Sequence, residues 1–229
     1  MTAHEVLGRT IETPVYVRTA SAFMAAFTVP SARAQSVIDY SGLRVHEYRK
    51  GRAICMLVFV DYVDGDLGRY EEFGVTFVVR DHRTARGSGA FIHRLPVNGD
   101  FTLAAGRGIW GFPKTLASFD TDHTTATKHG TLSADGQMAI RLDVKRGVPL
   151  PGSGRKVTSV AYSHLDGITR HTPWEMTPFG TRSRLGGAVL TLGDHPIADE
   201  LRGLGLPRRA LFSTSVRNIA MTFGDATSM

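Results

Sequence analysis

Ala53-Ile54-Cys55-Met56-Leu57-Val58-Phe59-Val60-Asp61-Tyr62-Val63 is an apolar run rich in β-branched and aromatic residues, closed by the turn signal Asp64-Gly65-Asp66. Its length and composition predict a β-strand. Working outward, Phe73–Arg80, Gly89–Val97, Met138–Val144, Val157–Ser163, Ala188–Leu192 and Ala210–Val216 repeat the pattern, separated by Gly, Asp, Asn or Pro. Val97-Asn98-Gly99-Asp100 and Ala134-Asp135-Gly136 read as turns, the second joining Thr131–Ser133 to Met138 in a hairpin. Helices are few. Asp194–Arg202 is the clearest, with Asp194 as cap, Pro196 in the first turn, Ile197, Leu201 and Leu204 on one face, and Gly203 ending it. Regular amphipathic helices between the strands are missing, so a parallel α/β sheet is disfavoured and a mainly β, antiparallel barrel or sandwich is expected.

The chain has 229 residues, 42% of them hydrophobic and 9% aromatic, enough for one closed core without a linker or internal repeat. A single domain over 1–229 is expected, with Gly147–Gly154, rich in Gly and Pro, as a surface excursion or lid. The one cysteine, Cys55, excludes an intrachain disulfide and a Cys-rich metal site and favours a reducing, cytoplasmic compartment. Its place in an apolar run predicts a buried, inert thiol. The net charge of +6 is spread over Arg44, Arg49, Lys50, Arg52, Arg182 and Arg184 without aromatic interleaving. That argues against nucleic acid, while leaving a basic surface able to steer a carboxylate. Membrane spanning is not expected. Arg18, the run Ala20–Val29 and Ala32-Arg33-Ala34 imitate a secretory leader, but Glu5 and Glu12 precede them, Ser21 and Thr28 dilute them, and Pro30-Ser31 reads as a helix start.

Candidate chemistry centres on Gly106-Arg107-Gly108-Ile109-Trp110-Gly111-Phe112-Pro113-Lys114-Thr115-Leu116. Lys114 is the lone cation of a stretch that is otherwise apolar or glycine from Gly108 to Pro113. Desolvation there would disfavour its ammonium and free the lone pair for attack on a carbonyl; the alternative is a lysine that snorkels to water. If the segment is extended, Trp110, Phe112 and Lys114 share one face. The glycine spacing satisfies Gly-x-Gly-x-x-Gly, but Pro113 interrupts and Trp110 blocks phosphate approach, so a nucleotide loop is rejected. His82, His93, His123, His129 and His164 lack metal-ligand spacing, and neither a metal nor another cofactor is expected. No Gly-x-Ser-x-Gly elbow is present.

The segment from Ala105 through Phe112-Pro113-Lys114-Thr115-Leu116 resembles the signature of the acetoacetate decarboxylase family, in which the lysine after the aromatic-proline pair forms an imine with substrate. Gly68-Arg69-Tyr70-Glu71-Glu72-Phe73-Gly74 is similar to the family's Gly-x-Tyr-x-Glu-x-Gly segment, and a looser likeness runs from Phe23 through the helix-like Ser31–Ile38. The resemblance implies a cone-like β-barrel, Lys114 as nucleophile, Glu72 as the acid facing it, a small oxo acid as substrate and a homo-oligomer. Departures accompany it. Thr115 stands where the type enzyme has a second lysine, and Gly108 where an acid commonly follows Gly-Arg. Leu57 falls near the family's other acid, and Ala20 near its substrate-side arginine, two places from Arg18. An amine is activated by a hydrophobic pocket or by an adjacent cation, and acetoacetate decarboxylase is itself the standard illustration of the second route. Only the pocket route survives here. Phe112 and Trp110 are the expected pocket walls, and Arg107, Arg18 and then Arg217 the candidates for holding a substrate carboxylate. Decarboxylation of a 3-oxo acid such as acetoacetate leads. A lysine-imine aldolase, dehydratase or cyclase acting on 2-oxo acids and a non-catalytic ligand-binding barrel are the alternatives.

Overall fold

The computed structural model describes residues 1–80 and 87–229. Seven strands close a barrel: β1 (Val15–Pro30), β2 (Arg52–Gly65), β3 (Tyr70–Arg80), β4 (Ser88–Val97), β5 (Val157–Leu165), β6 (Ile168–Phe179) and β7 (Phe212–Phe223). They pair in that order, and β7 returns to β1. The mainly β barrel with few short helices is therefore observed, with one correction to an all-antiparallel sheet. β4 and β5 run parallel, through Ala90 opposite Ala161 and Phe91 opposite Tyr162. The chain between them is long enough to return in the same direction, which parallel pairing demands.

That intervening chain builds most of a second, four-stranded sheet, ordered Ala188–Leu192, Gln137–Lys145, Thr127–Ala134, Ser118–Asp122. The expected strands Met138–Val144 and Ala188–Leu192 thus lie outside the barrel. The hairpin at Asp135-Gly136 forms as expected, both residues taking left-handed φ values of 51° and 75°.

Alternation along the barrel strands decides where everything sits. On β2, Ala53, Cys55, Leu57 and Phe59 point outward into a core shared with Leu132, Ile140, Leu142 and Leu190 of the second sheet. Met56, Val58, Val60 and Tyr62 point into the lumen. On β3, Phe73, Val75, Phe77 and Val79 join the core while Tyr70, Glu72, Gly74 and Thr76 face inward. β2 reads as a continuous apolar run because both of its faces are covered. Truncating Phe59 or Phe77, both fully buried, to alanine should cost about 3–5 kcal/mol. The Cys55 thiol lies in the same core, and burial pushes its pKa far up.

Helix α1 (Ser31–Ile38) and helix α3 (Pro196–Gly203) lie where expected. At α3 the cap is His195, whose Nδ1 accepts from the Ile197 amide, rather than Asp194. The turn signal at Val97–Asp100 leads into a helix not expected from the sequence, α2 (Asp100–Trp110), so Trp110 ends a helix and the segment through Lys114 is not extended throughout. The leader-like Ala20–Val29 is the middle of barrel strand β1. In the excursion Gly147–Gly154, Val148-Pro149 pairs with Arg182-Ser183 on an outer edge, and none of its residues lines the lumen. No helix among the described residues is long and apolar enough to cross a membrane.

Candidate active site

Lys114 enters the barrel from a short strand, Lys114–Leu116, that pairs parallel with β4 through Leu95. Immediately before it, α2 is stopped by Gly111, whose left-handed φ of 61° lets its N–H reach the Arg107 carbonyl while the Phe112 N–H reaches that of Gly106. The reversal lays the lysine back along the helix that precedes it. A Cβ on Gly106 would lie 2.6 Å from both Cδ and Cε of Lys114. Gly106 is therefore the groove in which the lysine stem rests, and its presence inside a helix, at a cost of about 1 kcal/mol against alanine, has a packing reason. Gly106→Ala is expected to push Nζ off position and slow carbonyl trapping about a hundred-fold, without loss of the cooperative melt. An unchanged trapping rate would show that the groove does not set the amine.

The amine is only 2% exposed. Nζ lies 2.9 Å from Glu72 Oε2, donates to Thr102 Oγ1 at 2.8 Å, and sits 4.7 Å from the centre of the Tyr70 ring. Glu72 Oε1 in turn accepts from the Tyr62 hydroxyl at 2.9 Å, and the rings of Tyr62 and Tyr70 stack at 4.2 Å. Burial lowers the pKa of Lys114, while the Glu72 carboxylate works against it through charge and hydrogen bonding. Burial first, and then the charge of Glu72, holds Tyr62 and Tyr70 well above the ordinary phenol range. Both tyrosines therefore stay protonated at neutral pH, and proton exchange in the cluster falls to the amine and the carboxyl. The pair is isoelectric whichever of the two holds the proton, so a short shift along one hydrogen bond unmasks the lone pair. Thr115 is exposed and points away, so no second cation assists.

Around this cluster the barrel encloses a cavity of about 390 Å³. Trp110 and Phe112 do line it beside Lys114, stacked on each other at 5.4 Å. They share the wall because the helix end and the turn at Gly111 bring them there, not because the segment is extended. The arginines are placed differently. Arg18 is held outside by Asp64 (2.8 Å at both oxygens) and Asp66 (2.7 Å), with half of its side chain exposed. Arg107 is exposed, and its guanidinium donates to the Lys114 carbonyl at 3.3 Å, bracing the strand rather than reaching the lumen. Arg217 is exposed on β7. None of the three lines the cavity, whose charged lining residues, among the described residues, are Glu72 and Lys114. Leu57 faces the core on the opposite side of β2, and its lumen-facing neighbours Met56 and Val58 are apolar, so no second carboxylate approaches the amine from that strand.

Tyr62, Tyr70, Thr102 and Gly106 are the functional positions not assigned from sequence. Tyr62 continues the alternation Met56, Val58, Val60, and Tyr70 sits two residues before Glu72, so period-two reading would have found both. Thr102 had no such signal because its helix was unrecognised. The histidines are otherwise engaged. His123 shares a hydrogen bond with Ser21, and burial lowers its pKa to about 4; His93 bonds Glu200 and Tyr40; His164 bonds Thr169. His82 lies outside the described residues. Among the described residues, no three His, Cys, Asp or Glu side chains gather as a metal site requires.

A buried lysine paired with a glutamate at the wall of an apolar β-barrel fits the chain's family assignment. The acetoacetate decarboxylase family model matches residues 7–228, and the chain belongs to that family. Among solved structures it is similar to acetoacetate decarboxylase from Legionella pneumophila, with 19% identity, TM-score 0.70, and coverage of 96% of this chain and 90% of that one. The enduracididine biosynthesis enzyme MppR complexed with pyruvate matches at 14% identity and TM-score 0.71, covering 95% and 91%. An acetoacetate decarboxylase-like enzyme from Sphingomonas wittichii RW1 matches at 14% and 0.64, covering 96% and 94%. At these identities the likeness is one of fold. No curated protein matches the chain.

Proposed function

We propose that this protein is a Schiff-base lyase that decarboxylates a 3-oxo acid through Lys114. The observation that carries this reading is the dry amine 2.9 Å from a carboxyl group at the wall of an apolar cavity. The neutral Lys114 adds to the ketone carbon and water leaves, giving a protonated iminium. The bond from the α-carbon to the carboxylate then breaks. Its electron pair flows into the iminium, CO₂ departs, and a neutral enamine remains. The α-carbon takes a proton, and water hydrolyses the resulting imine to a ketone and the free amine. Glu72 is within reach to carry protons between these steps, with Tyr62 fixing its orientation.

Charge favours this outcome over aldol chemistry. Among the described residues, the charged lining residues are the Lys114–Glu72 pair, and no arginine in the wall neutralises a carboxylate that persists. A 3-oxo acid discards that charge as CO₂, whereas a 2-oxo acid used as an aldol donor keeps it. MppR, whose structure holds pyruvate, is the reason to include 2-oxo acids in the test. Incubation with 3-oxo and 2-oxo acids, each with and without an aldehyde, is expected to release CO₂ from the 3-oxo acids with a ketone in equal amount. Carbon–carbon bond formation from pyruvate without CO₂ release from any 3-oxo acid would replace this reading with the aldolase one, and ligand retention without any turnover would point to a binding barrel. One buried cysteine agrees with work in a reducing, cytoplasmic compartment.

A further inference from the structure

We propose that the cavity takes a 3-oxo acid with a long, straight, uncharged tail, the tail lying along the barrel from Glu72 towards Thr76. This rests on the lysine-imine reading above and gives it a substrate class. Glu72, Gly74 and Thr76 succeed one another on the lumen face of β3, so this wall extends roughly 13 Å beyond the carboxyl group at about 3.3 Å per residue. Across from them, β2 presents Val60 opposite Glu72, Val58 opposite Gly74 and Met56 opposite Thr76. Met24 stands opposite Val58 on β1, and Thr214 opposite Met24 on β7. Among the described residues, the far end is therefore walled by thioethers, aliphatic groups and hydroxyls, with no ionised side chain. Gly74 is the middle step of the β3 wall and carries no side chain; a Cβ there would come within 2.9 Å of Val58 Cγ1. Cavities of several hundred cubic ångströms suit drug-sized ligands, and a short acid such as acetoacetate leaves most of this one without contacts. Methionines at Met24, Met56, Met176 and Met221 are adaptable apolar lining of the kind that follows a flexible chain. A second carboxylate at the tail's end would be desolvated beside groups that, among the described residues, are all neutral.

The test is borohydride trapping at Lys114, followed as a rate against concentration, with acetoacetate, 3-oxohexanoate, 3-oxooctanoate, 3-oxodecanoate and the dicarboxylic 3-oxoadipate. Trapping efficiency is expected to rise about four-fold per added methylene until the lumen is filled, and 3-oxoadipate to fall below 3-oxohexanoate. Met56→Phe should shift the preferred length towards shorter acids. A flat or falling series, or 3-oxoadipate trapped better than 3-oxohexanoate, overturns the proposal while leaving the imine reading intact. Should no acid of any length be trapped, the imine reading fails instead. The tail site is then judged on Lys114→Met, or on Lys114→Met/Glu72→Gln if the single variant does not fold, by calorimetric titration with 2-heptanone, 2-nonanone and 2-undecanone. Affinity rising by the same factor per methylene supports it, and equal affinities refute it.

Discussion

Lys114→Met is expected to reduce turnover of a 3-oxo acid to the uncatalysed rate and to weaken the fold at the same time. Activity disappears because, among the described residues, no other amine lines the cavity. Stability falls because Glu72, itself only 8% exposed, is left without the partner that sits 2.9 Å away. Breaking a buried pair from one side typically costs about 3–5 kcal/mol, whereas replacing both partners with neutral groups is often close to neutral. The Lys114→Met/Glu72→Gln variant should therefore recover most of the lost melting temperature while remaining inactive. Denaturant midpoints for wild type, both singles and the double variant measure this. Equal destabilisation by the single and double changes would mean that the pair is not coupled. The pH dependence has a definite sign. Burial lowers the folded-state pKa of Lys114 below its ordinary 10.5, so between the lowered value and 10.5 the unfolded chain binds more protons than the folded one. Wild-type stability should rise with pH across that window through this residue, and Lys114→Met should remove that contribution.

Glu72→Gln separates two roles of one carboxyl group. Its charge and hydrogen bond raise the Lys114 pKa against the larger effect of burial, so removing the charge lets the pKa fall further. The amine is then unprotonated at lower pH, and the acid limb of the imine-formation profile should move to lower pH. Proton delivery to the enamine carbon loses its carrier meanwhile, and turnover should drop roughly a hundred- to ten-thousand-fold. Faster or unchanged trapping at acid pH combined with collapsed kcat is the expected pattern. A limb that moves to higher pH would show that Glu72 does not hold the amine in its charged form.

Much of the barrel was legible in the residues because its strands are locally unambiguous. Ala53–Val63 could be little else, and β3 and β4 follow the same rhythm. Strand β1 was hidden because Ala20, Ala22, Ala25 and Ala26 have weak strand preference, and what makes them a strand is close packing between β2 and β7. Strand β6 was hidden by its polar residues, Thr169, Arg170, His171 and Thr172. Helix α2 was obscured by Gly106 and Gly108, which argue against a helix locally, yet Gly106 is retained because Lys114 occupies the space its side chain would take. Tertiary packing outweighs propensity at each of these places.

The site divides in the same way. Lys114 and Glu72 stand out through motif and chemistry, and the structure places them in direct contact. The arginines stand out only by residue type. Nothing in one dimension showed that Arg18 would be neutralised by Asp64 and Asp66, or that Arg107 would turn to the Lys114 carbonyl. That the described lumen carries no charged side chain beyond the Lys114–Glu72 pair follows from which face of each strand points inward, a property that emerges once the register is set.

The most direct measurement is borohydride reduction during incubation with a 3-oxo acid, followed by proteolysis and mass analysis of the peptide containing Lys114. A single reduced adduct on Lys114, absent without substrate and lost in Lys114→Met, is the predicted result. No adduct, or one distributed over exposed lysines such as Lys50 and Lys145 while Lys114 stays unmodified, would contradict the imine chemistry proposed for this barrel.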